Sequence, residues 1–214
     1  MANDIAAIVC LSLWVAAGAV GIASIIGLPL GLWLGNINER VRRVVFAVVY
    51  AGMALPPVVV GLVVYLLLSR SGPLGFLGWL YTPQAMVVAQ VILDLPFITG
   101  IVMTAVSTLS AELRFQMRAL GATERQVRLY LLREIRPAAL LALATALGRS
   151  LSEVGAVWMV GGNIQNHTRV LTTAIMLETA KGQFALALLL AAWLLAFALL
   201  VNVVIVRLQG KPAS

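Results

Sequence analysis

Three ionisable side chains, Asp94, Arg149 and Glu153, stand inside long apolar runs, and the single histidine, His167, follows a Gly-Gly-Asn turn. Residues of these types can hold protons or meet a charged solute, but they do not form a catalytic set. The sequence has no metal-ligand spacing, and no Gly-x-x-x-x-Gly-Lys-Ser/Thr loop to cradle a phosphate. A carboxylate at membrane depth costs ~2.5–3.5 kcal/mol on insertion scales, so Asp94 must face protein or water and is expected to be structural, paired or protonated. Arg149 and Glu153 lie one helical turn apart and are expected to neutralise each other on one face. His167 reads as a surface loop residue.

The remaining chemistry sits in the one long polar stretch, residues 112–137, where six arginines (114, 118, 125, 128, 133, 136) face three glutamates. Its apolar residues, Leu113, Met117, Leu120 and then Val127, Tyr130, Leu131, recur at helical spacing and predict two short amphipathic helices. Gly121 falls between them. Thr123 followed by Gln126 forms a capping-box start for the second helix, so the glycine marks a bend. A bent, basic helix pair at a membrane face can dock a protein; the alternative is a solvated basic loop on anionic lipid.

The elements that must position these groups are membrane helices. The chain of 214 residues is 62% hydrophobic and 11% charged, with a mean hydropathy of +1.02, far more apolar surface than a soluble domain of that length needs. An all-α integral membrane fold follows, one transmembrane domain with spans at about residues 5–34, 44–69, 84–108, 138–160 and 184–206. The net charge of +7 gathers in the loops 39–43 and 112–136 and in a tail bearing Arg207 and Lys211. Under a five-span count all three fall on one side, which the positive-inside rule makes cytoplasmic and which leaves the N-terminus outside. No soluble basic face remains for nucleic acid. Cys10 is alone and can form no intrachain disulfide. The start of the chain lacks the basic residues of a cleaved signal peptide, so the first helix is expected to be retained.

Within the spans, small residues at Gly18, Gly21, Gly27, Gly31 and Gly35 suit close helix approach. Pro56-Pro57 must interrupt the second span, as a gate or cavity wall or as a kink that only shapes packing. Gly161-Gly162-Asn163 should end the fourth span, and residues 168–181 are too polar to cross and should lie near the outer face or re-enter.

The polar stretch resembles the coupling loop of ABC importer permeases, which inserts into a groove of the ATP-binding subunit. Ala119-Leu120-Gly121-Ala122-Thr123 matches that family's Leu-Gly-Ala-Ser core and Arg136-Pro137-Ala138 its Arg-Pro-Gly exit, while Phe115-Gln116-Met117 replaces its Glu-Ala-Ala. The resemblance makes Met117, Arg118, Leu120, Gly121, Ala122 and Thr123 the residues that couple to the ATPase. It also implies a homodimer in the cytoplasmic (inner) membrane, two copies of an ATP-binding partner that carry the ATP and magnesium, an extracytoplasmic oxyanion-binding protein, and no cofactor on this chain.

Leu55-Pro56-Pro57-Val58-Val59-Val60-Gly61, Arg70-Ser71-Gly72-Pro73-Leu74-Gly75 and the run from Glu153 through Thr168-Arg169 narrow the resemblance to the molybdate and tungstate branch. The wording Glu-Val-Gly-Ala-Val-Trp-Met-Val-Gly-Gly-Asn-Ile is closer to tungstate permeases. The route implied for an oxyanion offers neutral donors and one cation, Ser150, Asn163, Thr168, Arg169, Thr172 and Thr173, although for each taken singly capping and loop hydrogen bonding is the favoured reading. The rival class is a secondary transporter or channel needing no nucleotide, although no repeat relates the two halves.

Overall fold

Helix α1 (Ala2–Leu34) opens the chain, and the computed structural model describes residues 2–209. After it come α2 (Glu39–Met53), α3 (Pro57–Leu68), a short 3-10 turn (Gly75–Leu77), α4 (Pro83–Ala119), α5 (Glu124–Glu134), α6 (Arg136–Ser152), α7 (Gly155–Gly161), α8 (Leu171–Ala180) and α9 (Phe184–Gln209). Among the described residues three segments are each long and apolar enough to cross a bilayer, Asp4–Leu34, Pro83–Thr108 and Phe184–Val204. Two bent pairs add up to two more crossings, α2 with α3 at 87° and α6 with α7 at 58°. Lys211 lies outside the described residues.

The first break has the expected cause. Asn38 caps α2 by accepting from the Arg40 amide at 3.1 Å, and Glu39 pairs with Arg43 at 2.9 Å, which holds the Glu39 carboxyl below the usual carboxylate range. Helix α2 stops at Met53 because Pro56 disfavours helical backbone before it and donates no hydrogen bond; Pro57 then starts α3 in the position where a missing N–H costs nothing.

Two expectations require correction. The sequence predicts separate short helices on either side of Gly121, but the first is the continuation of α4, which runs 37 residues because nothing between Thr108 and Ala119 stops it. The fourth span, expected over about residues 138–160, is two helices that break at Glu153 and Val154. That break removes the Arg149–Glu153 pair, since Glu153 leaves helical geometry (ψ 131°) and turns its Oε1 to the Ala156 amide of α7 at 3.1 Å. No ion pair joins Arg149 to Glu153.

Packing fixes the relative directions. A Cβ on Gly27 would lie 3.0 Å from Ile98, on Gly31 2.8 Å from the Thr99 carbonyl, and on Gly35 2.6 Å from Val106. Ascending numbers on both helices make α1 and α4 parallel, so the α1–α2 loop and the α4–α5 turn share one end of the bundle. Of the five glycines singled out, Gly27, Gly31 and Gly35 make the closest approach, whereas a Cβ on Gly21 meets nothing within 4 Å. Helix α6 runs the opposite way, with Ala142 beside Val102, Val106 and Ile135 and Ser150 beside Gln90. At the far end α3 crosses α7 closely, since a Cβ on Gly61 would sit 2.7 Å from the Ala156 Cα and one on Gly155 2.8 Å from Val58. The two broken spans therefore meet at their breaks.

Candidate functional site

The turn between α4 and α5 is built by a complete set of end caps. Gly121 adopts φ +80°, its amide donates to the Arg118 carbonyl at 3.0 Å and the Ala122 amide to the Met117 carbonyl at 2.9 Å, the two bonds of a Schellman termination. Thr123 begins α5 one residue later, accepting from the Gln126 amide at 3.4 Å while its own amide donates to Gln126 Oε1 at 2.8 Å. Val127 and Leu131 are buried and seat α5 on the bundle, which leaves its other face free.

On that free side Leu120 is 87% exposed at the apex and Phe115 77% exposed one turn before it. Met117, Leu120, Gly121 and Ala122 line one side of a groove of about 440 Å³, with Gln126, Leu129, Tyr130 and Arg133 on the other. An apolar knob and groove, flanked by exposed Arg118, Arg125 and Arg133, is suited to insertion into an apolar cleft with acidic edges. All six residues named from the sequence sit in or beside this turn; Thr123 acts there as the α5 cap.

Inside the bundle a polar layer joins α4 to α6. Gln90 Nε2 donates to the Ser150 carbonyl at 2.9 Å, and Asp94, one turn below Gln90, is 1% exposed. Gln90 Oε1, Asp94 Oδ2 and Ser150 Oγ are buried and make no hydrogen bond of good geometry, although the Ser150 hydroxyl lies beside the Asp94 carboxyl. Arg149 lies over the Phe97 ring, 4.4 Å from its centre.

The residues nominated for a solute route divide sharply. Thr168 is fully buried, its hydroxyl donating to the Gly161 carbonyl at 2.5 Å and accepting from the Ile164 amide at 2.9 Å. Thr172 donates to the Glu153 carbonyl at 2.8 Å, and Thr173 exchanges bonds with Val170 at 3.1 Å. Asn163, at φ +50°, accepts from Arg169 Nε at 3.3 Å. These five residues tie α7, α8 and the loop between them together, whereas Ser150 belongs to the α4–α6 polar layer beside Asp94. Thr168→Val, which keeps the shape but strands two backbone groups, is expected to destabilise the purified protein by about 1–3 kcal/mol for each group left unsatisfied. A lowered unfolding midpoint in detergent checks this.

Sequence reasoning did not nominate Gln90, Phe97 or Arg149 for the site. The first two are ordinary in an apolar run until the partner helix is known.

An all-helical chain with two broken spans and an exposed, doubly capped helix-turn-helix is a permease subunit of the ABC importer type. Residues 27–211 match the family described as binding-protein-dependent transport system inner membrane component, and the chain belongs to that family. Its relatives include the tungstate uptake system permease protein TupB of Peptoclostridium acidaminophilum, 40% identical over 95% of this chain and 90% of that one. A probable anion ABC transporter permease protein of Haloferax volcanii is 42% identical over the same shares, 95% and 90%. The molybdenum transport system permease protein ModB of Azotobacter vinelandii is more distant, at 29% over 93% and 91%. The fold is that of a chain of the MetNI methionine ABC transporter in an inward facing conformation, with a TM-score of 0.68 over 94% of each chain at 21% identity.

Proposed function

We propose that this chain is the transmembrane subunit of an ATP-driven importer that carries tungstate across the cytoplasmic membrane by alternating access. It works as a homodimer with two ATP-binding subunits, which hold the ATP and magnesium, and receives cargo from an extracytoplasmic oxyanion-binding protein. The observation that carries the cargo is the 40% identity, across 95% of the chain, to a tungstate uptake permease. Molybdate is the alternative oxyanion, since molybdenum permeases are related over nearly as much of the chain.

The mechanical part of this reading starts at the α4–α5 turn. Closure of the ATP-binding subunits on nucleotide draws the two turns of the homodimer together, and each turn moves α4 as a lever that is continuous from Pro83, with Pro96 inside it. The lever bears on α6 through the Gln90–Ser150 bond, just before the α6–α7 break, and so reaches the crossing of α3 and α7, with Pro56 and Pro57 at its edge. The arginines of the α1–α2 loop share an end with the turn, which supports a cytoplasmic placement of that end, with the N-terminus outside and the C-terminus inside.

The test is uptake into proteoliposomes holding this chain, its ATP-binding subunit and the binding protein. Tungstate is expected to accumulate only with ATP and magnesium, and excess molybdate to compete less well than excess tungstate. Accumulation driven by a proton gradient without nucleotide would point to a secondary transporter instead.

A further inference from the structure

Helix α6 has two unlike sides. Ala142, Ala146 and Ser150 are buried against the bundle, whereas Leu141, Thr145 and Ser152 are exposed and Gly148 lies among them with open space where a Cβ would stand. Arg149 is at the edge of the open side. Together these five positions cover roughly 100° of the helix circumference. The Thr145 hydroxyl donates to the Leu141 carbonyl at 2.9 Å and the Ser152 hydroxyl to the Gly148 carbonyl at 2.9 Å, so what sets this face apart is its small side chains beside a cation. The exposed side of α9, by comparison, presents Leu188, Leu195, Leu199 and Val203.

Arg149 makes this face more than a polar stripe. Its Nε is buried without a hydrogen-bond partner, its guanidinium covers the Phe97 ring at 4.4 Å, and it makes no ion pair. Two carboxylates lie near. Glu153 is turned toward α7, where Oε1 accepts from the Ala156 amide at 3.1 Å, and Asp94 is 1% exposed in the α4–α6 interface. Glu153 is half-buried beside Arg149, and the guanidinium is the cation of this layer at the edge of the open side. A permanently charged, forked donor that has two carboxylates nearby but an ion pair with neither is unfavourable in lipid or in a dry helix contact, and is suited to water and an anion.

We propose that Arg149 is the cation at which a tetrahedral dianion meets this chain inside the membrane, on a water-filled side of α6 formed by Thr145, Gly148 and Ser152. This rests on the oxyanion-import reading above. In a homodimer two copies of Arg149 supply two positive charges to a doubly charged cargo, and the stacking on Phe97 holds the guanidinium plane while its N–H edge stays available. One cation per chain and no closed cage grips the cargo weakly enough for it to leave.

The experiment uses the assembled complex with its ATP-binding subunit and binding protein. Arg149→Gln is expected to lower initial tungstate uptake by about tenfold or more, with Arg149→Lys retaining part of it. Hydrolysis of ATP stimulated by the loaded binding protein should stay near that of the parent in both. In a Cys10→Ser background, Thr145→Cys and Ser152→Cys should react with a membrane-impermeant anionic thiol reagent, and tungstate should slow the reaction; Leu199→Cys, on the apolar face of α9, should stay inert. Unchanged uptake in Arg149→Gln overturns the proposal, as do cysteines at 145 and 152 as inert as the one at 199, which would make this side a dry contact between copies. Loss of assembly and hydrolysis along with uptake in both Arg149 variants overturns it in favour of a structural role. A parent complex that takes up no oxyanion defeats the underlying import reading, and thiol reactivity at 145 and 152 still reports whether the face is wet.

Discussion

Gly121→Val is expected to reduce ATP-driven uptake by about tenfold or more while the protein still folds and inserts. The glycine sits at φ +80°, where an L-residue costs ~1–2 kcal/mol and a β-branched one more. The space around it is free, since a Cβ there meets nothing within 4 Å, so the chain itself is not overpacked. What changes is the Schellman termination: with the 3.0 Å and 2.9 Å bonds from Gly121 and Ala122 weakened, α4 and α5 no longer meet at a fixed angle and Leu120 is no longer held at the apex. Gly121→Asn, which tolerates the left-handed region, should retain more uptake than Gly121→Val. Uptake, together with co-purification of the ATP-binding subunit, checks both; equal activity of the valine variant and the parent would remove the turn from the coupling path.

The second large effect concerns assembly of the bundle. Gly31→Ala and Gly35→Ala are each expected to destabilise the protein by about 1–3 kcal/mol, and Gly31→Val by more, whereas Gly21→Ala should be neutral. At Gly31 the obstacle is a backbone carbonyl, Thr99 O at 2.8 Å, which cannot rotate away; at Gly35 it is the Val106 Cβ at 2.6 Å with the Met103 carbonyl at 2.9 Å behind it. Either methyl forces α1 off α4 along the parallel seam that aligns the two arginine-bearing loops. Unfolding midpoints of the detergent-solubilised protein measure this. A Gly35→Ala protein as stable as Gly21→Ala would show that the seam opens without cost.

Much of the architecture was legible because its causes are local. Pro56-Pro57 could only interrupt a helix, Thr123 and Gln126 could only start one, and Gly162 and Asn163 do adopt the left-handed backbone that ends α7. The α6–α7 break was not legible. It has no proline, and it depends on Glu153 finding the Ala156 amide and on its carbonyl accepting from Thr172 at 2.8 Å, a contact 19 residues away. The same long-range geometry undid the nomination of polar residues. Thr168, Thr172 and Thr173 have the right chemistry for an anion, but their hydroxyls are engaged by backbone groups of the α7–α8 region. Arg149 went the other way. Its i,i+4 spacing to Glu153 predicted a neutral pair, and the break between them left the guanidinium on Phe97. The extension of α4 to Ala119 was missed because polar residues inside a continuous helix look, in sequence, like a new element.

The most direct measurement is a cross-link at the apex of the turn. With Cys10→Ser and Leu120→Cys in this chain, a short thiol-to-amine cross-linker applied to the assembled complex is expected to join it to the ATP-binding subunit, faster when nucleotide is bound. No adduct at 120, combined with labelling of that cysteine from outside intact cells, would place the turn on the wrong side of the membrane and contradict the coupling role.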